Sequence, residues 1–354
     1  MKLLLIGTDR AVFNEGSAVR RRIALWVSRA EALDIITFSA MTHAIAAKAE
    51  LAPHVHAYPT RSRSRLLYIW NAYRIGRTLA RPDIIAAQDP FETGLAALLI
   101  ARYWRVPFVV EMHTDFLASG FARHAFLNRV RLLIAPFVLK RASACNAVSE
   151  SLKERVQSRY KLSIPFAVLP LYVDTSRFAG VVHTAHPRFS PALVWVGRFE
   201  SEKDPATAIR ALAALRRTRP EAGLTMLGSG SLEGALRELA QKEGVEKWVE
   251  FPGWQDPLAY YAVADLALVT SRYEGYGMAI IEALAAHVPV VSTDVGIARE
   301  AGATVADGDY AAAVCAWFEG ARKEGGLARV WYSSEEEYIE KLTAFYAKAA
   351  SAGR

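Results

Sequence analysis

Two carboxylates, Glu274 and Glu282, flank a glycine loop, Gly275-Tyr276-Gly277, with seven residues between them. Ahead of the loop, the apolar run Leu266 to Thr270 reads as a buried parallel strand, because apolar residues fill both of its faces. Behind it, Met278 to Ala286 reads as a helix and Val288 to Ser292 as the next strand. Such a unit sets free backbone N–H groups and the positive end of a helix at the carboxyl edge of a parallel sheet, where anionic ligands bind. Carboxylates repel a phosphate, but each accepts hydrogen bonds from several neutral sugar hydroxyls. A diphosphate flanked by sugar hydroxyls describes a nucleotide sugar.

A second group lies upstream. The strand-like Ala192 to Val196 runs into Gly197-Arg198-Phe199-Glu200-Ser201-Glu202-Lys203-Asp204-Pro205, where Pro205 begins a helix. Gly197 permits close approach of a ligand, and Arg198 and Lys203 bring two cations to one loop, enough to neutralise a diphosphate. The competing expectation is that both cations are consumed by Glu200, Glu202 and Asp204.

The pattern E-G-Y-G-x4-E after A-D-L-x-L-x-x-S, joined by G-R-x4-K, resembles the retaining GT-B glycosyltransferases of family 4. The resemblance is specific over 192–300 and looser over 1–180. It implies an α/β fold of two Rossmann-like, doubly wound domains facing across a cleft. Residues 1–172 would form an acceptor-binding domain and 173–334 a nucleotide-sugar donor domain, with a C-terminal helix, 335–354, packing back on the first. The implied reaction moves a hexose-type sugar from a nucleoside diphosphate sugar to an acceptor hydroxyl with retention of configuration. Arg198, Lys203 and the amides of Gly275 to Gly277 would stabilise the leaving diphosphate, Glu274 would hold sugar hydroxyls, and Glu282 the ribose. Trp254, after the strand Val249 to Gly253, falls where the family meets the nucleobase. His113, at the end of the strand beginning at Phe108, matches the family's histidine near the donor sugar. Gly16 matches one of a glycine pair near the diphosphate. Three departures stand out: Ser17 replaces the second glycine of that pair, Thr114 separates His113 from Asp115, and only Gly296 remains of a later pair. With Arg198 and Lys203 serving the diphosphate, no metal and no cofactor are required.

The positioning elements follow from pattern. The 354 residues leave room for two domains, and 52% hydrophobic content supplies two cores. Apolar strands at Lys2 to Gly7, Asp34 to Phe38, Val55 to Tyr58, Asp83 to Ala87, Phe108 to Glu111 and Ala144 to Val148 are expected to alternate with helices, one of them from about Ala18 to Ala30, as in a doubly wound sheet. Residues 1–180 carry 25 Lys/Arg against 13 Asp/Glu, whereas the remainder carries 18 against 23. With no nucleic-acid motif present, the basic half points to an anionic membrane surface. Arg61 to Arg74 and Arg123 to Arg141, which mix cations with apolar and aromatic residues, are the candidate contacts. The acceptor would then be a lipid-linked or other saccharide in cell-envelope glycan or glycolipid synthesis. No apolar run reaches the length of a membrane span and Leu3 to Ile6 is too short for a signal-peptide core, so a cytoplasmic location, peripheral on the inner face of the membrane, is expected. Cys145 and Cys315 read as buried free thiols.

Two rivals use the same fold. A nucleotide-sugar epimerase is disfavoured by the context of the two glutamates. A non-catalytic nucleotide-sugar-binding scaffold is favoured by the missing glycines and disfavoured by intact Arg198, Lys203, Glu274 and Glu282.

Overall fold

The computed structural model describes every residue except 44, 46, 119, 321–323 and 353–354. The chain divides into two compact units, Met1–Leu117 with Phe121–Tyr172 and Tyr332–Arg354, and Val173–Trp331 with Ala118–Gly120.

The first unit holds eight strands: β1 (Lys2–Gly7), β2 (Ala32–Thr37), β3 (Ala49–Ala52), β4 (Val55–Pro59), β5 (Ile84–Ala87), β6 (Phe108–Met112), β7 (Ala144–Ala147) and β8 (Phe166–Val168). They lie in the order β3-β4-β2-β1-β5-β6-β7-β8. All neighbours run parallel except β3, which pairs antiparallel with β4. The central strands β5, β6 and β7 are buried along their whole length, as expected where helices cover both faces. The chain goes one way from β1 to β2 and the other way from β5 onward, so the order reverses between β1 and β5. Gln88, just beyond β5, fills the space beside Gly7: its Oε1 accepts from the Thr8 backbone N–H at 3.2 Å, and a Cβ on Gly7 would lie 2.3 Å from that oxygen.

The second unit is an all-parallel sheet of six strands, β9 (Ala192–Val196), β10 (Gly223–Leu227), β11 (Val249–Gly253), β12 (Leu266–Val269), β13 (Val290–Ser292) and β14 (Thr304–Val305). Their order is β11-β10-β9-β12-β13-β14, reversing between β9 and β12. Its core gathers Leu193, Trp195, Phe199, Leu212, Met226 and Leu268 among others.

Some elements differ from expectation. The gap between β2 and β4 holds strand β3 in place of a helix. The first helix spans only Ala18–Ala24, after which i to i−3 bonds at Leu25, Trp26 and Val27 tighten the chain into turns. Trp and β-branched Val hold a helix weakly, and Trp26 is buried, stacked on Tyr346 at a centroid distance of 5.9 Å. Tyr346 belongs to the last helix, Glu335–Ala352, which packs within the first unit. Cys145 is buried but Cys315 only half-buried, and both are free. Among the described residues no helix is long and apolar enough to cross a membrane.

Candidate active site

The carboxyl ends of β9 and β12 meet where the second sheet changes direction, which is where open α/β sheets bind ligands. Gly197 to Asp204 leaves β9 there and Thr270 to Gly277 leaves β12. Side chains and backbone sew these loops together. The Trp195 indole N–H donates to Thr270 Oγ1 at 2.9 Å, the Thr270 hydroxyl donates to the Lys203 carbonyl at 2.9 Å, and the Arg272 N–H donates to the Glu202 carbonyl at 2.8 Å. Lys203 Nζ thereby comes within 2.8 Å of Glu274 Oε1, which also accepts from the Ser271 hydroxyl at 2.6 Å. Both partners are largely shielded, with side-chain exposures of 25% and 13%.

Arg198 stands differently. Its side chain is 65% exposed and pairs with Glu202 at 2.6 Å, so one of the loop's own acids does engage it. The other acids do separate work: Glu200 holds Ser231 through its backbone N–H at 3.0 Å and its hydroxyl at 2.7 Å, and Asp204 pairs with Arg272 at 3.3 Å.

Glycines let a third loop join. Gly228 has φ +153°, and a Cβ there would lie 1.8 Å from the Gly197 carbonyl oxygen. That proximity lets the Phe199 N–H donate to the Ser229 carbonyl at 2.9 Å. Gly277, at φ +98°, precedes the helix Met278–Ala285 in a left-handed conformation that a side chain rarely adopts. Gly275 and Tyr276 are buried, and the Tyr276 carbonyl accepts from the Ile297 N–H at 3.0 Å. Ile297 itself is fully buried, so the position of the missing glycine is taken by a core residue, while Gly296 provides the close approach: a Cβ on it would lie 2.1 Å from the Tyr276 oxygen.

Glu282 projects from the second turn of the same helix near Tyr261, whose hydroxyl donates to the Ala279 carbonyl at 3.4 Å. Burial raises its pKa above the ordinary glutamate value, opposed by the Arg177 charge and reinforced by Asp256. Arg177 in turn pairs with Asp256. Trp254 follows β11 and is 66% exposed.

In the first unit, Gly16 (φ +79°) lies beyond β1 and precedes Ser17, whose hydroxyl donates to the Ala11 carbonyl at 2.7 Å and accepts from the Arg20 N–H at 3.1 Å. Ser17 therefore caps the helix through its side chain, a bond a glycine there would lack. His113 follows β6, and its Nε2 lies 3.1 Å from Glu111 Oε2. Asp115, two residues on, pairs with Arg155.

The sequence reading assigns no role to Glu111 or Tyr261, names Glu200 only as a rival partner for the loop's cations where it holds Ser231 instead, and reads Gly228-Ser229-Gly230 only as the lead into a helix. An acid two residues before His113 in an otherwise apolar strand was the available signal for Glu111. The metal-free expectation also passed over the triplet Asp307-Gly308-Asp309. Asp309 caps the helix Tyr310–Glu319 through the N–H groups of Ala311 and Ala312, and Asp307 pairs with Arg299 at 3.4 Å. Among the described residues no three His, Cys, Asp or Glu side chains gather as a metal cage.

Residues 184–310 match the family described as glycosyl transferases group 1, and residues 21–177 match glycosyltransferase family 4. The chain belongs to the GT-B glycosyltransferases of family 4. The glycogen synthase of Mycobacterium tuberculosis is 30% identical over 228 residues, which are 62% of this chain and 54% of that protein. The chain thus spans about half the length of this relative. A sucrose-phosphate synthase from Thermosynechococcus elongatus has a TM-score of 0.72 at 17% identity, covering 100% of this chain and 93% of that one. Anabaena HepE, solved in complex with UDP and glucose, has a TM-score of 0.64 at 16% identity, covering 100% and 97%. At these identities the likeness is one of fold, two Rossmann-like domains of GT-B type.

The raised pKa of Glu282 carries a sign. A carboxyl group whose pKa is higher folded than unfolded binds more protons when folded, so its ionisation erodes stability as pH rises from the ordinary glutamate range through the folded pKa. Glu282→Gln is therefore expected to melt at a higher temperature than the parent protein at pH 7 to 8, with the gain shrinking as pH falls below the ordinary glutamate value. Calorimetric melting across that range measures it. A variant that melts lower at every pH would show that the charge supports the fold.

Proposed function

We propose that the protein is a retaining glycosyltransferase that takes a hexose-type sugar from a nucleoside diphosphate sugar and gives it to an acceptor hydroxyl. The supporting observation is the Lys203–Glu274 pair at the β9/β12 junction, where a cation and a hydroxyl-accepting carboxylate share one end of the sheet. Membership of family 4 and the UDP and glucose carried by the structural neighbour HepE agree with this reading.

Departure of the diphosphate and growth of positive charge at the anomeric carbon form the barrier. Lys203, Arg198 released from Glu202, and the backbone N–H groups of Gly275 to Gly277 stabilise the leaving charge. Glu274 fixes sugar hydroxyls and Glu282 those of the ribose, while Trp254 lies beside the nucleobase. Gly197 allows the diphosphate close to the backbone, and Gly16 in the first unit leaves open space beside its loop. His113 serves a hydroxyl of the reacting sugars. The leaving phosphate takes the proton of the acceptor hydroxyl on the same face, so neither a metal nor a protein nucleophile enters the step.

A thermal-shift and hydrolysis screen against UDP-, GDP- and ADP-sugars, each beside its free diphosphate, tests the donor. Stabilisation by one base series with slow release of that diphosphate is expected, the sugar first appearing in the donor's own anomeric configuration by NMR. Stabilisation without any turnover, with or without acceptors, would favour a binding scaffold, and no stabilisation by any member would remove the donor assignment.

The acceptor is proposed to be a lipid-linked saccharide at an anionic membrane surface of the cytoplasm, serving cell-envelope glycan or glycolipid synthesis. Its support is the exposure of apolar side chains among cations: Leu66 at 90% and Trp70 at 53% near Arg63 and Arg65, and Phe126 at 79% and Leu133 at 77% near Arg129. Arg131, by contrast, is held by Glu92 at 3.0 Å. Sedimentation with anionic vesicles should show binding at low salt that weakens as salt rises. Binding that is absent at low salt, or indifferent to salt and to lipid charge, would contradict the electrostatic role.

A further inference from the structure

The structure assigns to Glu111 and Tyr346 a positioning role: together they fix His113 as a hydrogen-bond acceptor toward a substrate hydroxyl. This rests on the reading of His113 given above.

The starting point is a carboxylate that packing does not explain. β6 reads Phe-Val-Val-Glu-Met and is buried throughout, Glu111 being 7% exposed. A buried carboxylate is costly unless its oxygens are bonded, and both are. Oε1 accepts from the Tyr346 hydroxyl of the last helix, and Oε2 faces His113 Nε2 at 3.1 Å. Tyr346 is 1% exposed and its ring is stacked against Trp26, so its hydroxyl has a fixed direction. Burial, and next the charge of Glu111, raise the Tyr346 pKa well above the ordinary phenol value. The phenol therefore stays a donor.

The chemistry of a carboxylate then decides the histidine. Its oxygens only accept, so the ring nitrogen facing it must carry a proton. In a neutral imidazole with the proton on Nε2, Nδ1 keeps a lone pair, and its tautomer is set by the bond at the other nitrogen. Nδ1 has no partner among the described residues, and the His113 side chain is 30% exposed. A sugar hydroxyl meeting His113 in this neutral tautomer donates to Nδ1, leaving its oxygen richer in electron density. The last helix reaches this atom through two bonds, Tyr346 to Glu111 and Glu111 to His113.

Glu111→Gln tests the assignment in the full-length protein, because the amide oxygen can still accept from Tyr346 while the amide N–H faces His113 and forces the opposite tautomer. With the donor identified by the screen, kcat for transfer or donor hydrolysis should fall about tenfold or more, with little change in melting temperature. The double variant Glu111→Gln, His113→Ala should be no slower than His113→Ala alone, since Glu111 acts through the ring. Parent-like turnover in Glu111→Gln beside a slow His113→Ala overturns the positioning role while sparing His113. Parent-like turnover in His113→Ala overturns the reading of His113 itself, and the inference with it. Should Glu111→Gln fail to fold, imidazole 15N NMR of the unaltered protein decides: a protonated Nε2 with a bare Nδ1 at neutral pH is expected, and the reverse tautomer overturns the assignment.

Discussion

The ion pair between Lys203 and Glu274 depends on, and reveals, the constraint that organises the second unit. Two loops leave neighbouring parallel strands at the point where strand order reverses, so their side chains converge with no helix intervening. The pair is shielded enough to interact more strongly than a fully exposed one, for which the contribution is ~0–1 kcal/mol. Removing either partner alone would strand the other charge in a half-buried place. In the proposed reaction a diphosphate and sugar hydroxyls take over the two partners, so the site is satisfied before and after binding by exchange of one set of charge-assisted bonds for another.

Around this pair the structure is permissive where backbone must approach backbone. Gly228 brings the β10 loop against Gly197, and Gly296 brings the β13 loop against Tyr276. Between them the Thr270 hydroxyl relays Trp195 to the Lys203 carbonyl. The result is a loop cluster held by buried or half-buried bonds, in contrast to Arg198, which is exposed and pairs with Glu202. In the proposed reaction both cations exchange an acid partner for the diphosphate, the shielded Lys203 as well as the exposed Arg198.

Much of this was legible in the sequence because it is local. Apolar runs of four to six residues marked the central strands, and the strict spacings from Gly197 to Lys203 and from Glu274 to Glu282 marked loops and helix starts. The family resemblance and the two parallel sheets agree on the fold. What escaped is non-local or weakly patterned. Strand β3 is short and half-exposed, without an apolar run to announce it. Tyr346 lies 235 residues from Glu111, a separation no periodicity can bridge. Tyr261 and Arg177 meet Glu282 only through tertiary packing, and Asp307-Gly308-Asp309 shows the reverse problem, a suggestive triplet used for capping and surface pairing.

Calorimetric titration of the preferred free nucleoside diphosphate into the parent protein and into Lys203→Ala tests whether Lys203 binds the diphosphate. Binding at least about tenfold weaker in the variant is expected, a loss of ~1.4 kcal/mol or more, with binding of the corresponding nucleoside, which lacks phosphate, unchanged. Equal affinity of the two proteins for the diphosphate, with both folded, would contradict it.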